Sequence, residues 1–442
     1  MSRSLKNVPK QKPLIIRGGH LIDPASGVDA PMDLLLRDGK VAEVGQPGTV
    51  SAKGAQILNA KGLVVAPGFI DLHVHLREPG QSYKETIASG TAAAAAGGFT
   101  SVCCMPNTVP VNDDEKITRW IQDAGRGALV NVFPIAAATM GSLGEKITDF
   151  AALRAAGAVA FSDDGKPILG DDIMRSCLEA AAKLGVPVIQ HAEDTRLTLG
   201  CSMNLGPTSL RLGLRGMSAE SESNIVERDI RLARETGGHL HVAHISTKKA
   251  LDAVRRAKRE GLQVTCEVTP HHFTLLDEHI GQYNTDYKMC PPLRGEEDRD
   301  AMVRGLLDGT IDAIATDHAP HAFHEKQQEF ERAPMGITGL ETALPIALQV
   351  LHHHKSMPLS RIVELLSTNP ARIAGLQRRG NLAVGAHADV TIFDPHKKWT
   401  FYAQDSRSKS KNTPFDGWEF KGKVMQTIQG GKVQIGRITN EL

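Results

Sequence analysis

The sequence predicts an α/β fold, a (β/α)8 barrel of the TIM type carrying a small β-sandwich built from both chain ends. Three observations predict it. Eight strand-like apolar runs in the middle of the chain alternate with longer Ala- and Leu-rich stretches. Hairpin-like texture occurs at both ends. Polar, ligand-type residues fall just past the ends of the central runs, the face on which parallel barrels carry their sites. An open doubly wound sheet is the alternative, but no GxGxxG follows its first strand.

The order of elements follows from local pattern. Leu14 to Arg17, Met32 to Leu36, Val41 to Val44 and Ile57–Leu58 are short apolar runs separated by Gly, Asp and Pro, which read as hairpins. The central runs are Phe69 to Leu72, Ser101 to Met105, Val130 to Ile135, Ala158 to Phe161, Val186 to Ile189, His239 to Ala243, Gln263 to Val268 and Ala313 to Ala315. Between them Glu85 to Ala96 reads as a helix ending at Gly97-Gly98, and Lys248 to Lys258 and Asp298 to Leu307 have amphipathic spacing. The hairpin texture returns at Ala388 to Phe393, Phe420 to Ile428 and Lys432 to Ile435, with Ser406 to Lys411 read as a mobile loop. The expected division is residues 1–66 and 379–442 for the small β domain and 67–378 for the barrel. The long segments Gly200 to Ser221 and His318 to Gly336 are candidate lids.

Composition narrows the function. A formal net charge of +1 gives no global field for nucleic acid or an anionic membrane, so a small soluble substrate is expected. Six cysteines without a CxxC pair suit a reducing compartment. The basic N-terminal tail lacks an apolar export segment, and a cytoplasmic location is expected.

His73-Val74-His75 puts two imidazoles on one face of an extended chain, because strand side chains alternate. Such a pair is weak evidence alone. His191 and His244 end two further strands, Asp164 follows the fourth and Asp317 the eighth, although Asp317 also reads as a helix N-cap. Four imidazoles with one or two carboxylates suit Zn²⁺ and carbonyl hydrolysis. Asp163 adjoins Asp164 and could be mistaken for it. His352 to His354 read as a solvated patch, and His271 and His272 as packing or as support for a ligand.

DLHVHLREPG from Asp71, MPNTVPV from Met105, the ATDHAPH run and RAPMGITGLETA from Arg332 resemble the signatures of dihydroorotases of the longer bacterial class, in the amidohydrolase superfamily. The resemblance implies reversible hydrolysis of L-dihydroorotate to N-carbamoyl-L-aspartate in pyrimidine biosynthesis, with one or two zinc ions. It implies His73, His75, Asp164, His191, His244 and Asp317 as metal positions, with Asp164 where many amidohydrolases carry a carboxylated lysine. Asp317 matches the general acid/base. Arg77 matches the clamp on the substrate carboxylate, Asn107 and His321 support that contact, and Met335 and Gly336 match a backbone contact. Cys290 stands in KMCPPLR where the family commonly has Asn, which weakens a substrate hydrogen bond by about 1 kcal/mol.

Two rival functions share parts of this pattern. An allantoinase or hydantoinase-like enzyme has the same fold and metal but less need of a cation at Arg77. A non-catalytic scaffold for aspartate transcarbamoylase usually lacks metal ligands, which are complete here. The resemblance also allows an active enzyme that docks on aspartate transcarbamoylase or forms a homo-oligomer.

Overall fold

The structure, a computed structural model, describes residues 12–437. The outermost parts of the expected domain bounds, 1–11 and 438–442, and most of the basic tail lie outside the described residues. Strands from both ends pair into one sheet. Its order is Lys432–Ile435, Glu419–Gln429, Val390–Thr400, Val64–Pro67, Leu14–Asp23, Val28–Arg37 and Lys40–Gly45, with Gln56–Asn59 also on Leu14–Asp23. The alternation in sequence becomes two-sided burial: Leu14, Ile16, Leu34, Leu36 and Val390 share one apolar cluster, and Ile15, Leu35 and Val50 another.

The central strands are all parallel. Phe69–Val74 pairs with Phe99–Cys104, which pairs with Asn131–Pro134. Phe161–Ser162 pairs with Val188–Gln190, followed in order by Leu240–Val242, Val264–Val268 and Ala313–Ile314. Isolated parallel bridges, Ala136 to Phe161 and Val74 to His318, join the two groups at both sides. Parallel neighbours need crossovers, and helices such as Glu115–Gly125, Asp171–Leu184, Glu220–Thr236 and Lys248–Arg259 supply them. Ile70, Leu72, Cys103, Ile135, Val159, Ile189, Ala243 and Ala313 form a single apolar cluster fed by successive strands. In the fourth strand the named ladder covers only Phe161–Ser162, beyond most of the predicted run, although Val159 N–H already donates to the Pro134 carbonyl (3.0 Å).

Three local readings need correction. The helix predicted from Glu85 runs Ile87–Ala96, because the Thr86 side chain accepts from Ser89 N–H and Ser89 completes a capping box. That leaves Glu85 outside the helix, buried against His318. Ser406 to Lys411 is a fixed strap rather than a mobile loop. Ser408 Oγ and Lys409 N–H donate to Glu85, Ser406 Oγ and Arg407 N–H donate to Glu341 (both 2.6 Å), and Ser410 Oγ donates to the Lys84 carbonyl. The polar composition that suggested solvent instead satisfies two inward-facing carboxylates. In the histidine run only His354 is exposed, since His352 and His353 hydrogen-bond the Met357 and Pro395 carbonyls at 2.8 Å.

Candidate active site

The ends of the parallel strands converge on one cavity of about 360 Å³, lined in part by His75, Arg77, Asn107, Asp164, His191, His244, Cys290, Asp317 and His321. His73 lies directly beneath it, with no exposed surface. The strand register turns His73 and His75 to the same side, with ring centroids 5.4 Å apart. Asp164 sits at the centre: its carboxylate lies 3.3 Å from His73 Nε2, 3.5 Å from His75 Nε2, 3.6 Å from His244 Nε2 and 3.8 Å from His191 Nδ1. Asp317 Oδ1 lies 3.0 Å from His75 Nε2 and 3.5 Å from His73 Nε2. Asp163 faces away, bonded to Thr139, and Lys166 is exposed. Arg77, His244 and Asp317 hold φ angles of 61°, 30° and 46°, a region non-glycine residues rarely adopt and one that concentrates at functional sites.

Hydrogen bonding on the far side of each ring shows what the centre can hold. His73 Nδ1 donates to Glu267 (2.9 Å) and His75 Nδ1 to Asn107 Oδ1 (2.8 Å), which turns both Nε2 lone pairs towards the aspartates. Lone pair against carboxylate repels unless positive charge lies between them. His73 Nε2, Asp164 Oδ1 and His244 Nδ1 are buried without a hydrogen-bond partner. His73, His75 and Asp317, and likewise His73, Asp164 and His244, bring their ligand atoms within 4.8 Å of one another. The donor set therefore fits a divalent cation bound through N and O. Electrostatics carry the same demand. Burial disfavours the Asp164 and Asp317 charges, yet the His73 ring and neighbouring imidazoles hold both well below the usual carboxylate range. Burial likewise disfavours charge on His73, but Asp164 and Asp317 hold its pKa well above the ordinary histidine value.

One wall is cationic. Arg77 is buried, donates through Nε to the Pro320 carbonyl (3.2 Å), and does not pair with Glu78, whose carboxylate accepts from Ile87 N–H. His321 Nε2 donates to the Met335 carbonyl (2.9 Å), and its Nδ1 faces Lys84 Nζ at 3.4 Å. Burial, Arg77 and Lys84 push its pKa down to about 2, so the ring is neutral. Met335 lines the cavity, while Gly336 lies behind it with N–H bonded to the Lys288 carbonyl. A Cβ at Gly336 would come within 2.5 Å of the Ala319 carbonyl oxygen, so only glycine fits.

Residues 62–250 match the family described as Dihydro-orotase-like. The chain is 50% identical over 431 residues to a dihydroorotase of Solibacter usitatus, covering 97% of this chain and 100% of that protein. It is 50% identical over 421 residues to one of Geobacter sp. (strain M21), covering 95% and 98%. The chain belongs to the dihydroorotase family. Among solved structures it resembles an L-hydantoinase (dihydropyrimidinase) from Arthrobacter aurescens, with a TM-score of 0.86 and 24% identity over 97% of this chain and 98% of that one. A dihydropyrimidinase from Brevibacillus agri gives 0.82 and 23%, over 96% and 95%. At that identity the likeness speaks to the α/β fold alone.

Against the family pattern, the structure also exposes residues that sequence reading passed over. Glu267 is wholly buried within the seventh parallel strand and spans His73 Nδ1 and His241 Nε2 (3.1 Å); these imidazoles keep it ionised, with a pKa of about 2, despite its burial. Asp71 Oδ1 accepts from His73 N–H and Thr316 N–H, both at 3.1 Å, tying the first strand to the last. Glu193 lies 2.9 Å from His191 Nε2 and 3.3 Å from Cys290 Sγ. The signal for Glu267 and Asp71 was present: a carboxylate inside an apolar strand is costly unless paired. His272 is bonded to Thr269 and the Pro291 carbonyl, whereas His271 Nε2 is buried without a partner.

Proposed function

We propose that this chain is a zinc-dependent dihydroorotase that interconverts L-dihydroorotate and N-carbamoyl-L-aspartate in cytoplasmic pyrimidine biosynthesis. The observation that carries the reading is one cavity in which two buried aspartates face four imidazoles while Arg77 stands on the wall beside them. His73, His75, Asp164, His191, His244 and Asp317 would hold one or two ions. When bound, zinc polarises a carbonyl and lowers the pKa of water towards about 7.

In hydrolysis the oxygen of water bonds to the ring carbonyl carbon, and the bond from that carbon to the ring nitrogen breaks. Asp317 takes the water's proton and returns it to the departing nitrogen, a role supported by its carboxylate lining the cavity. Arg77 holds the substrate carboxylate through charge-assisted hydrogen bonds. Asn107 contributes its amide N–H, since its oxygen serves His75. His321, Met335 and Gly336 shape the wall behind that carboxylate, and Cys290 lines the same cavity beside His191 and Glu193, where its thiol is a weak hydrogen-bonding partner.

The fold behind this reading is a closed (β/α)8 barrel at 67–378, with 1–66 and 379–442 forming a β-sandwich. The two bridges that join the parallel groups support closure. Docking on aspartate transcarbamoylase belongs to the same reading, and the absence of a size shift on mixing the proteins at micromolar concentration removes it. The deciding experiment is turnover of L-dihydroorotate with zinc supplied and with zinc chelated, beside allantoin and hydantoin. Zinc-dependent ring opening of dihydroorotate alone is expected; preference for either control transfers the chain to the hydantoinase-like class, and silence on all three with zinc bound points to a scaffold.

A further inference from the structure

His191 presents two faces. Its Nδ1 looks at Asp164 and lies 3.0 Å from His244 Nε2, while its Nε2 points the other way, to Glu193 Oε2 at 2.9 Å and Cys290 Sγ at 3.7 Å. Cys290 Sγ lies 3.3 Å from the same Glu193 oxygen. All three ligand atoms fall within 4.8 Å of one another. A tetrahedral zinc with bonds of about 2.0–2.3 Å holds its ligand atoms roughly 3.3–3.6 Å apart, so these separations need shifts of only a few tenths of an ångström.

Two of the three residues are anchored outside the triad. Glu193 Oε1 accepts from the Thr198 hydroxyl, which leaves Oε2 for the triad. His191 is held at the end of Val188–Gln190. All three residues line the cavity, so a fourth coordination position opens onto the space the substrate occupies.

We propose that His191, Glu193 and Cys290 form a second, thiolate-containing site for zinc or a softer divalent ion, and that filling it blocks the catalytic cavity. Binding breaks the Cys290 S–H bond and releases the proton to solvent, and the sulfur lone pair forms the metal bond. A neutral imidazole has one ring lone pair, so His191 serves either the Asp164 centre or this site. Excess metal at the second site therefore competes with the first for one ligand as well as occluding substrate. The blocking effect rests on the hydrolase reading above; the site itself does not.

The test is a Cd²⁺ titration of the zinc-loaded chain, followed by thiolate-to-cadmium charge-transfer absorption in the ultraviolet. One saturable band per chain is expected, retained in Cys201→Ser, lost in Cys290→Ser and Cys290→Asn, and at least tenfold weaker in apparent affinity in Glu193→Gln. X-ray absorption at the cadmium edge of the unmutated protein gives a second readout independent of any variant, with one sulfur in the first shell. No band, a band surviving in the Cys290 variants, or a cadmium shell without sulfur overturns the site. Inhibition of dihydroorotate turnover by excess Zn²⁺ should need at least tenfold more metal in Cys290→Asn. Equal sensitivity overturns the blocking effect, and a charge-transfer band in a chain that turns over no dihydroorotate separates failure of the hydrolase reading from failure of the site.

Discussion

His73 and His75 each turn one ring nitrogen to the central aspartates and bond the other to a fixed acceptor, and mutational consequences divide along that line. On the inner side, Asp317→Asn keeps the carbonyl oxygen as a ligand but has no carboxylate to carry a proton. We expect turnover to fall by about 10²–10⁴-fold with metal content largely retained, measured by steady-state rate and metal analysis on the same sample. Retention of full turnover removes Asp317 from the proton transfer. On the outer side, Glu267→Gln weakens the acceptor that orients His73, and metal affinity should fall about 10–100-fold in a chelator competition. Affinity unchanged within twofold makes Glu267 a packing residue. Arg77→Ala removes the proposed charge-assisted bonds to substrate, worth roughly 1.5–3 kcal/mol, so KM for dihydroorotate should rise by about tenfold or more. An unaltered KM moves the carboxylate clamp elsewhere. The inward residues HVH, His191, His244 and Asp317 could be read from sequence because strand period and strand ends are local properties. Glu193 escaped notice because its meaning depends on Cys290, nearly a hundred residues away and brought beside it only by the fold.

Strands and helices were legible to within a few residues where periodicity was long, and the errors came from side chains acting across the fold. A helix predicted from Glu85 includes Thr86 in its first turn, although Thr is a favoured N-cap, because Glu85 before it is an equally good helix former. The strap at 406–411 looked solvated because Ser and Lys usually are, while its acceptors, Glu85 and Glu341, are remote in sequence. A comparable pairing links a helix to a site strand. Asp229 on Glu220–Thr236 is fully buried and accepts from Gln190 Nε2 (3.1 Å), the residue before His191, and from its neighbour Arg228 (2.6 Å). Burial raises its pKa to about 6, with Arg228 and Gln190 opposing. The folded state therefore retains a proton that the unfolded chain has lost between about pH 4 and 6, and the contribution to stability falls as pH rises through that window. Across it, unfolding free energy of the unmutated chain relative to Asp229→Asn should decline by on the order of 3 kcal/mol, read by urea denaturation in chelator. A constant difference excludes Asp229 from the linkage.

At the scale of the molecule, the parallel α/β order was readable because strand-like runs and helical stretches alternate, but the joining of both chain ends in one sheet rested on texture alone. No local rule specifies that Val390–Thr400 pairs with Val64–Pro67. The proposed ligands come from the ends of several strands, so the complete set exists only in the folded chain. Zinc should therefore stabilise by mass action, by about 2.7 kcal/mol at a hundredfold excess over Kd. A raised thermal midpoint with zinc, reversed by chelator, is expected in calorimetry; an unmoved midpoint means that the centre does not bind zinc at that concentration.

The seam between Val74 and His318 has a consequence for how the protein is made. His75 N–H bonds to the His318 carbonyl, and Asp71 accepts from Thr316, so the earliest strand of the parallel set is completed by the latest. At about 5–20 residues per second, a ribosome needs roughly 12 to 50 s to travel between these positions. Throughout that interval the first histidines wait beside an unpaired strand edge, and a nascent chain halted before residue 317 lacks both its closing partner and its proposed proton carrier.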